Sequence, residues 1–258
     1  MTTITVLEKL YGSSSPKTFE EIYSSLVNGL NVQLRFAGTT DRGWIKLDVF
    51  GDDEAAALSV LDREFGLAPG VLDKLEKFSF MKGKVIFSNK SANDLHVDLV
   101  TVSQKVLEAT VSEKSLQAQL ADGKEVPLKK LVELFCLYDN LPLKIKIYED
   151  ANMRSETVKA QLSEMQLSLF HKWIRFRFDR LIILGSIFHD VERAVKLSRL
   201  SRDIIKIESL GVLEQVVLCK LGTDAVGLIP KLGRYLKSSV LVPFSPKKIV
   251  AVLGSQSF

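Results

Sequence analysis

Between residues 180 and 250 the spacing of apolar side chains switches repeatedly between the period of a strand and that of a helix. The pattern reads strand 180–187, helix 190–200, strand 203–209, strand 214–221, helix 224–236 and strand 240–250. The first eighty residues give nearly the same order. An apolar run at Ile4–Leu7 precedes the turn Ser13-Ser14-Ser15-Pro16, and Thr18 can cap a helix carrying Phe19, Ile22, Tyr23, Leu26 and Val27. Val32, Leu34 and Phe36 alternate with Gln33 and Arg35, and Trp44–Phe50 follows as a second strand across a turn from Gly38 to Gly43. Asp52 or Asp53 then opens a helix through Ala55, Leu58, Leu61 and Phe65, stopped by Gly66. Only the order of elements recurs; the two ends share no sequence repeat.

The middle of the chain changes character. Gly83–Phe87, Leu95–Val100 and Ala109–Val111 read as short strands, Ser115–Leu120 and Leu128–Leu137 as helices, and Leu143, Ile145 and Ile147 as a last strand. Short strands with polar turns suggest a small barrel. From Ser155 to Trp173, Val158, Leu162, Met165, Leu169 and Trp173 form one helical stripe. The reading is α+β: ferredoxin-like βαββα(β) modules flanking a small OB-like β-barrel. The modules are 1–80, ferredoxin-like; 81–150, OB-like; and 151–258, a helix plus a basic ferredoxin-like module.

Charge divides this chain unevenly. Residues 1–82 carry 9 basic and 12 acidic side chains, whereas residues 171–258 carry 15 and 7. A basic third on a mildly acidic body suits a polyanionic partner. No apolar run is long enough to span a membrane, and the start Met1–Thr5 lacks the pattern of a secretory signal, so a cytoplasmic location is expected. Cys136 and Cys219 stand alone in apolar settings and read as buried thiols. No cofactor is implied.

The basic third offers Lys172, Arg175, Arg177 and Arg180, then Arg193, Lys196, Arg199 and Arg202. On a helix 190–200, Arg193, Lys196 and Arg199 would share a face. Arg175 and Arg177, alternating with Phe176 and Phe178, would share one side of an extended segment. Such spacing can follow a phosphate backbone. The plainer alternative is a solvated face paired internally with Asp190, Glu192 and Asp203. Gly222-Thr223-Asp224 reads as a helix cap. Neither GxGxxG nor GxxxxGK[ST] occurs, and His96, His171 and His189 are far apart, so the chain reads as non-enzymatic, with no catalytic residue or metal ligand assigned.

Two resemblances add to this. Gly83-Lys84-Val85, Leu95-His96-Val97-Asp98-Leu99 and Ala109–Leu116 resemble the OB-fold repeated in the largest small-subunit ribosomal protein. That family stacks bases on aromatic residues of its central strands, which points to His96 and Phe87. Separately, Asp139-Asn140 with Leu141-Pro142-Leu143, Asp179-Arg180-Leu181, Glu208–Glu214 and Cys219–Pro230 resemble an archaeal family of uncharacterised conserved proteins, a domain of unknown function. The uncharacterised family brings no activity, but the OB-fold resemblance with the basic last third implies an RNA- or ribonucleoprotein-binding protein. The alternative is a protein-interaction factor in archaeal transcription or translation, docking a partner protein through apolar surface.

Overall fold

The computed structural model describes residues 1–68, 77–86, 94–100, 107–149 and 157–254. The fold is α+β and includes a closed five-stranded barrel. The chain divides into two compact units, one holding the elements before residue 68 and the other the elements from residue 80 onward.

The first unit is a three-stranded antiparallel sheet, β1 (Thr2–Lys9), β3 (Trp44–Gly51) and β2 (Val32–Thr39), in that order, with helices α1 (Pro16–Leu26) and α2 (Glu54–Phe65). Ser15, rather than Thr18, caps α1: Pro16 fills the first helical position, and the Ser15 side chain accepts from Thr18 N. Phe19 and Tyr23 are fully buried, and Phe65 meets Tyr23 edge-on with ring centres 5.0 Å apart. Burying each such ring contributes about 1.5–3 kcal/mol. After α2 the backbone returns along β1. Val6 bridges Leu67, Leu7 N donates to Gly66 O and Ala68 N to Thr5 O. This single bridge stands where a fourth strand of a βαββαβ unit would pair.

In the second unit, β4 (Phe80–Ile86), β5 (Asp94–Leu99), β6 (Leu107–Ser112), β7 (Pro142–Ile147) and β8 (Thr157–Leu162) close in the order β4-β5-β6-β8-β7. All neighbours are antiparallel except β6 and β8. Helices α3 (Glu113–Leu120) and α4 (Leu128–Phe135) separate the third and fourth strands. Val85, Val97, Ala109, Leu143, Ile145, Val158 and Ala160 are buried at alternate positions, as a filled small barrel requires. Gly83 is obligatory there: a Cβ would stand 2.6 Å from both Asp98 O and Val97 Cγ1. The barrel thus runs past residue 150, and the expected helix from Ser155 is corrected. Residues 157–162 form β8, and α5 (Glu164–Arg175) starts only after Ser163 caps it. Val158 and Leu162 are four apart, a spacing that fits a helix and every second turn of a strand's alternation equally well.

The last sheet has the order β10-β11-β9-β12, all antiparallel, from β9 (Arg180–Leu184), β10 (Ile204–Ser209), β11 (Glu214–Cys219) and β12 (Val240–Phe244). Helices α6 (Phe188–Leu197) and α7 (Ala225–Leu232) cover one face, packing Val191, Ala194, Val195, Leu228 and Leu232 against Leu181, Ile183 and Val217. The other face is also buried. Glu214 on it meets Lys84 of the barrel at 2.7 Å, and Phe244 meets Trp173 of α5 with ring centres 5.2 Å apart. The final strand ends at Phe244 rather than at 250, because Pro246 opens α8 (Pro246–Leu253) at its first turn. Among the described residues no helix is long and apolar enough to cross a membrane.

Candidate nucleic-acid interface

The topology of the last sheet gathers basic residues that are scattered in sequence. Arg180 opens β9; its register partners are Leu218, near the end of β11, and Phe244, the end of β12. Ile204, the start of β10, pairs with Cys219. Cys219 N donates to Asp179 O and Lys220 N to Asp203 O, tying the entry to β9, the exit of β11 and the entry to β10 into one end of the sheet. Helix α6 runs back from the far end of β9, so its C-terminus reaches the same end. Arg175, Arg177, Arg199, Arg202 and Lys220 are all exposed there, and Phe176 is 53% exposed among them.

Two of these arginines end helices. The last turn of α5 closes with Phe176 N donating to Lys172 O and Arg177 N to Ile174 O, which puts Arg177 in the left-handed region, φ +53°. The last turn of α6 closes with Ser198 N donating to Ala194 O and Arg199 N to Lys196 O, with Arg199 at φ +58°. Helices usually stop this way on glycine, because a Cβ is strained there. Two readings are therefore corrected. Arg175 and Arg177 do not lie on an extended segment, and Arg199 lies past the end of α6 rather than on a face shared with Arg193 and Lys196.

Arg180 is another correction. It is 3% exposed and faces no solvent partner. Its Nη1 donates to Trp173 O at 3.0 Å and Phe178 O at 2.8 Å, and its guanidinium lies 5.2 Å from the Trp173 ring centre. Burial pulls its pKa down to about 10. It fastens the end of α5 to the sheet. Arg193 and Lys196 are exposed on α6 but paired with Asp190 at 3.3 Å and Glu192 at 3.0 Å, as the plainer reading expected. Lys172 is exposed on α5, one turn before the rim.

His96 is 6% exposed, which corrects its assignment as a stacking residue. It lies on the outward face of β5, its Nδ1 3.4 Å from Glu108 of β6. One step along the same face, Lys84, Asp98 and Glu108 stand in one cross-strand row, all buried, with Glu214 on Lys84. Among the described residues, β5 and β6 therefore present no open aromatic face. Phe87 lies outside the described residues. Asp224 caps α7 as expected, accepting from Val226 N at 3.1 Å. Among the described residues no group of His, Cys, Asp and Glu could hold a metal ion.

Residues 3–69 match the model of the DUF2110 N-terminal domain, and residues 178–243 match that of the DUF2110 C-terminal domain. Together these matches span just over half of the chain. It belongs to the DUF2110 family. None of the curated proteins matches it. DUF2110 is an uncharacterised domain family, so membership carries no activity with it. The DUF2110 C-terminal match holds Arg199, Arg202 and Lys220, while Arg175 and Arg177 immediately precede it. The barrel falls between the two matched segments. Lys220 was missed in the sequence because it stands alone; only the pairing of β10 with β11 carries it to the arginines.

Proposed function

We propose that the chain is a non-enzymatic RNA- or ribonucleoprotein-binding protein of the cytoplasm, in an archaeal setting, whose basic rim contacts the phosphate backbone. One observation carries this reading: Arg177 and Arg199, at the same end of the sheet, both hold the left-handed conformation that favours glycine. A strained backbone position occupied by a long cation supports a ligand contact. Arg175, Arg202 and Lys220 complete an exposed set able to neutralise several phosphates. Two acids nearby are engaged: Asp179 accepts from Ser245 Oγ at 3.1 Å and Asp224 caps α7. The barrel's strand order, with one parallel pair between its third and fifth strands, supports the OB-like reading, and such barrels often bind oligonucleotides.

An apolar surface for docking a protein partner is not supplied by most of the stripe 158–173, since Val158, Leu162 and Trp173 are buried within the second unit. The test is binding of labelled single-stranded RNA to wild type and to an Arg177→Glu/Arg199→Glu/Arg202→Glu variant. Binding that weakens strongly in the variant supports the rim; equal affinity overturns it.

A further inference from the structure

We infer that the outer face of β4 and β7 is a stacking platform for unpaired bases, built on Phe78 and Phe80. The inference rests on the RNA-binding reading and adds to it a site on the barrel, outside the basic rim.

Phe78 and Phe80 are 59% and 60% exposed, unusual for two large apolar residues side by side. In the β4–β7 register Phe80 stands opposite Lys146 and Lys82 opposite Lys144. Their neighbours Gly83, Leu143, Ile145 and Ile147 are buried in the barrel, so Phe80, Lys82, Lys144 and Lys146 share the outward face. Lys146 Nζ lies 5.4 Å from the Phe80 ring centre and 5.9 Å from that of Phe78, and Lys77 Nζ lies 5.2 Å from the Phe78 ring. Phe78 itself is held at φ +72°, a costly conformation for an aromatic residue. Its N–H donates to Ile147 O at 2.7 Å, and Ile147 N donates to Ser79 O at 3.0 Å, which anchors the bend that turns the ring outward.

Exposed rings among lysines suit single-stranded nucleic acid. Any base can lay its face on an aromatic ring, while ammonium groups meet the phosphates. A closed duplex hides those base faces. Strands β5 and β6 cannot serve, because Asp98 and Glu108 on their outward face are buried in one row with Lys84; on β4 the face opens again towards Phe80. The platform and the rim are joined by α5. Its first residue, Glu164, pairs with Lys146 at 3.1 Å, and its last residue, Arg175, is on the rim. Ser168, Lys172 and Arg175 are exposed along it at helical spacing. A helix of 12 residues spans about 18 Å. A strand of roughly ten nucleotides covers both sites. The exposed Lys146–Glu164 pair offers little resistance to a phosphate.

The test uses the full chain, a 2-aminopurine-labelled oligouridylate of about twelve nucleotides, and an RNA duplex of equal length. Wild type should quench the aminopurine by stacking. A Phe78→Ala/Phe80→Ala variant should lose that quenching and bind the single strand roughly 10-fold more weakly, with duplex affinity little changed. Phe78→Leu/Phe80→Leu keeps apolar bulk without an aromatic face and should show the same loss at an unchanged thermal midpoint. Unaltered quenching and affinity in both variants, with rim variants still weakened, overturns the platform and leaves the rim. Absence of any RNA binding by wild type overturns both.

Discussion

Lys84 Nζ donates to Glu214 Oε1 at 2.7 Å, with both side chains fully buried between the barrel and the last sheet. The pair joins residues 130 positions apart. Removing one member of a buried ion pair leaves an uncompensated charge and costs about 3–5 kcal/mol. The two single variants are not equivalent. Lys84 also stands directly opposite the buried Asp98 in the β4–β5 register. Lys84→Met removes the cation that faces two buried carboxylates and should destabilise more than Glu214→Leu, which leaves the ammonium beside Asp98. Urea unfolding of the two variants and their double measures this, and the double should be less destabilised than the sum of the singles.

Arg177 and Arg199 hold conformations that favour glycine. Arg177→Gly and Arg199→Gly should each relieve backbone strain and raise stability by about 0.5–1 kcal/mol, while weakening RNA binding. Opposite signs in thermal unfolding and in binding would separate a functional arginine from a structural one. Loss of stability in both variants would mean that the side chains have packing roles.

Cys136 and Cys219 are buried, and burial pushes each thiol up to about 12. In the folded protein both keep their proton at pH 8, so a thiol-disulfide reagent should react only as fast as the chain opens, and fully in denaturant. The same shift sets a pH dependence. The unfolded thiols lose their protons from about pH 8.5 and the folded ones only near 12. Between these values the folded state binds more protons, and stability falls as pH rises. Cys136→Ala should flatten that alkaline decline.

Much of the fold was legible because its strands and helices are punctuated. Pro16, Gly66, Pro127 and Asp224 mark element ends in the sequence, and the βαββ orders at both ends follow from apolar spacing between such marks. The fifth barrel strand was not legible, since Val158 and Leu162 fit two periods and α5 follows at once. The site was only half legible. Sequence gives the basic residues but not which are exposed: His96 and Arg180 are buried, and Lys220 joins Arg202 only through strand pairing. Phe78 and Phe80 carried no signal because strands of a small barrel commonly bear phenylalanine, and only exposure sets them apart.

The salt dependence of RNA affinity tests the central claim most directly. Four or five rim cations neutralising phosphates of a single strand give a slope of about −3 in log affinity against log salt. For wild type the slope should be at least that steep, platform lysines adding to it, and it should be reduced by about 0.7 for each charge removed at Arg177, Arg199 or Arg202. A slope that the variants leave unchanged, or RNA binding insensitive to salt, would contradict it.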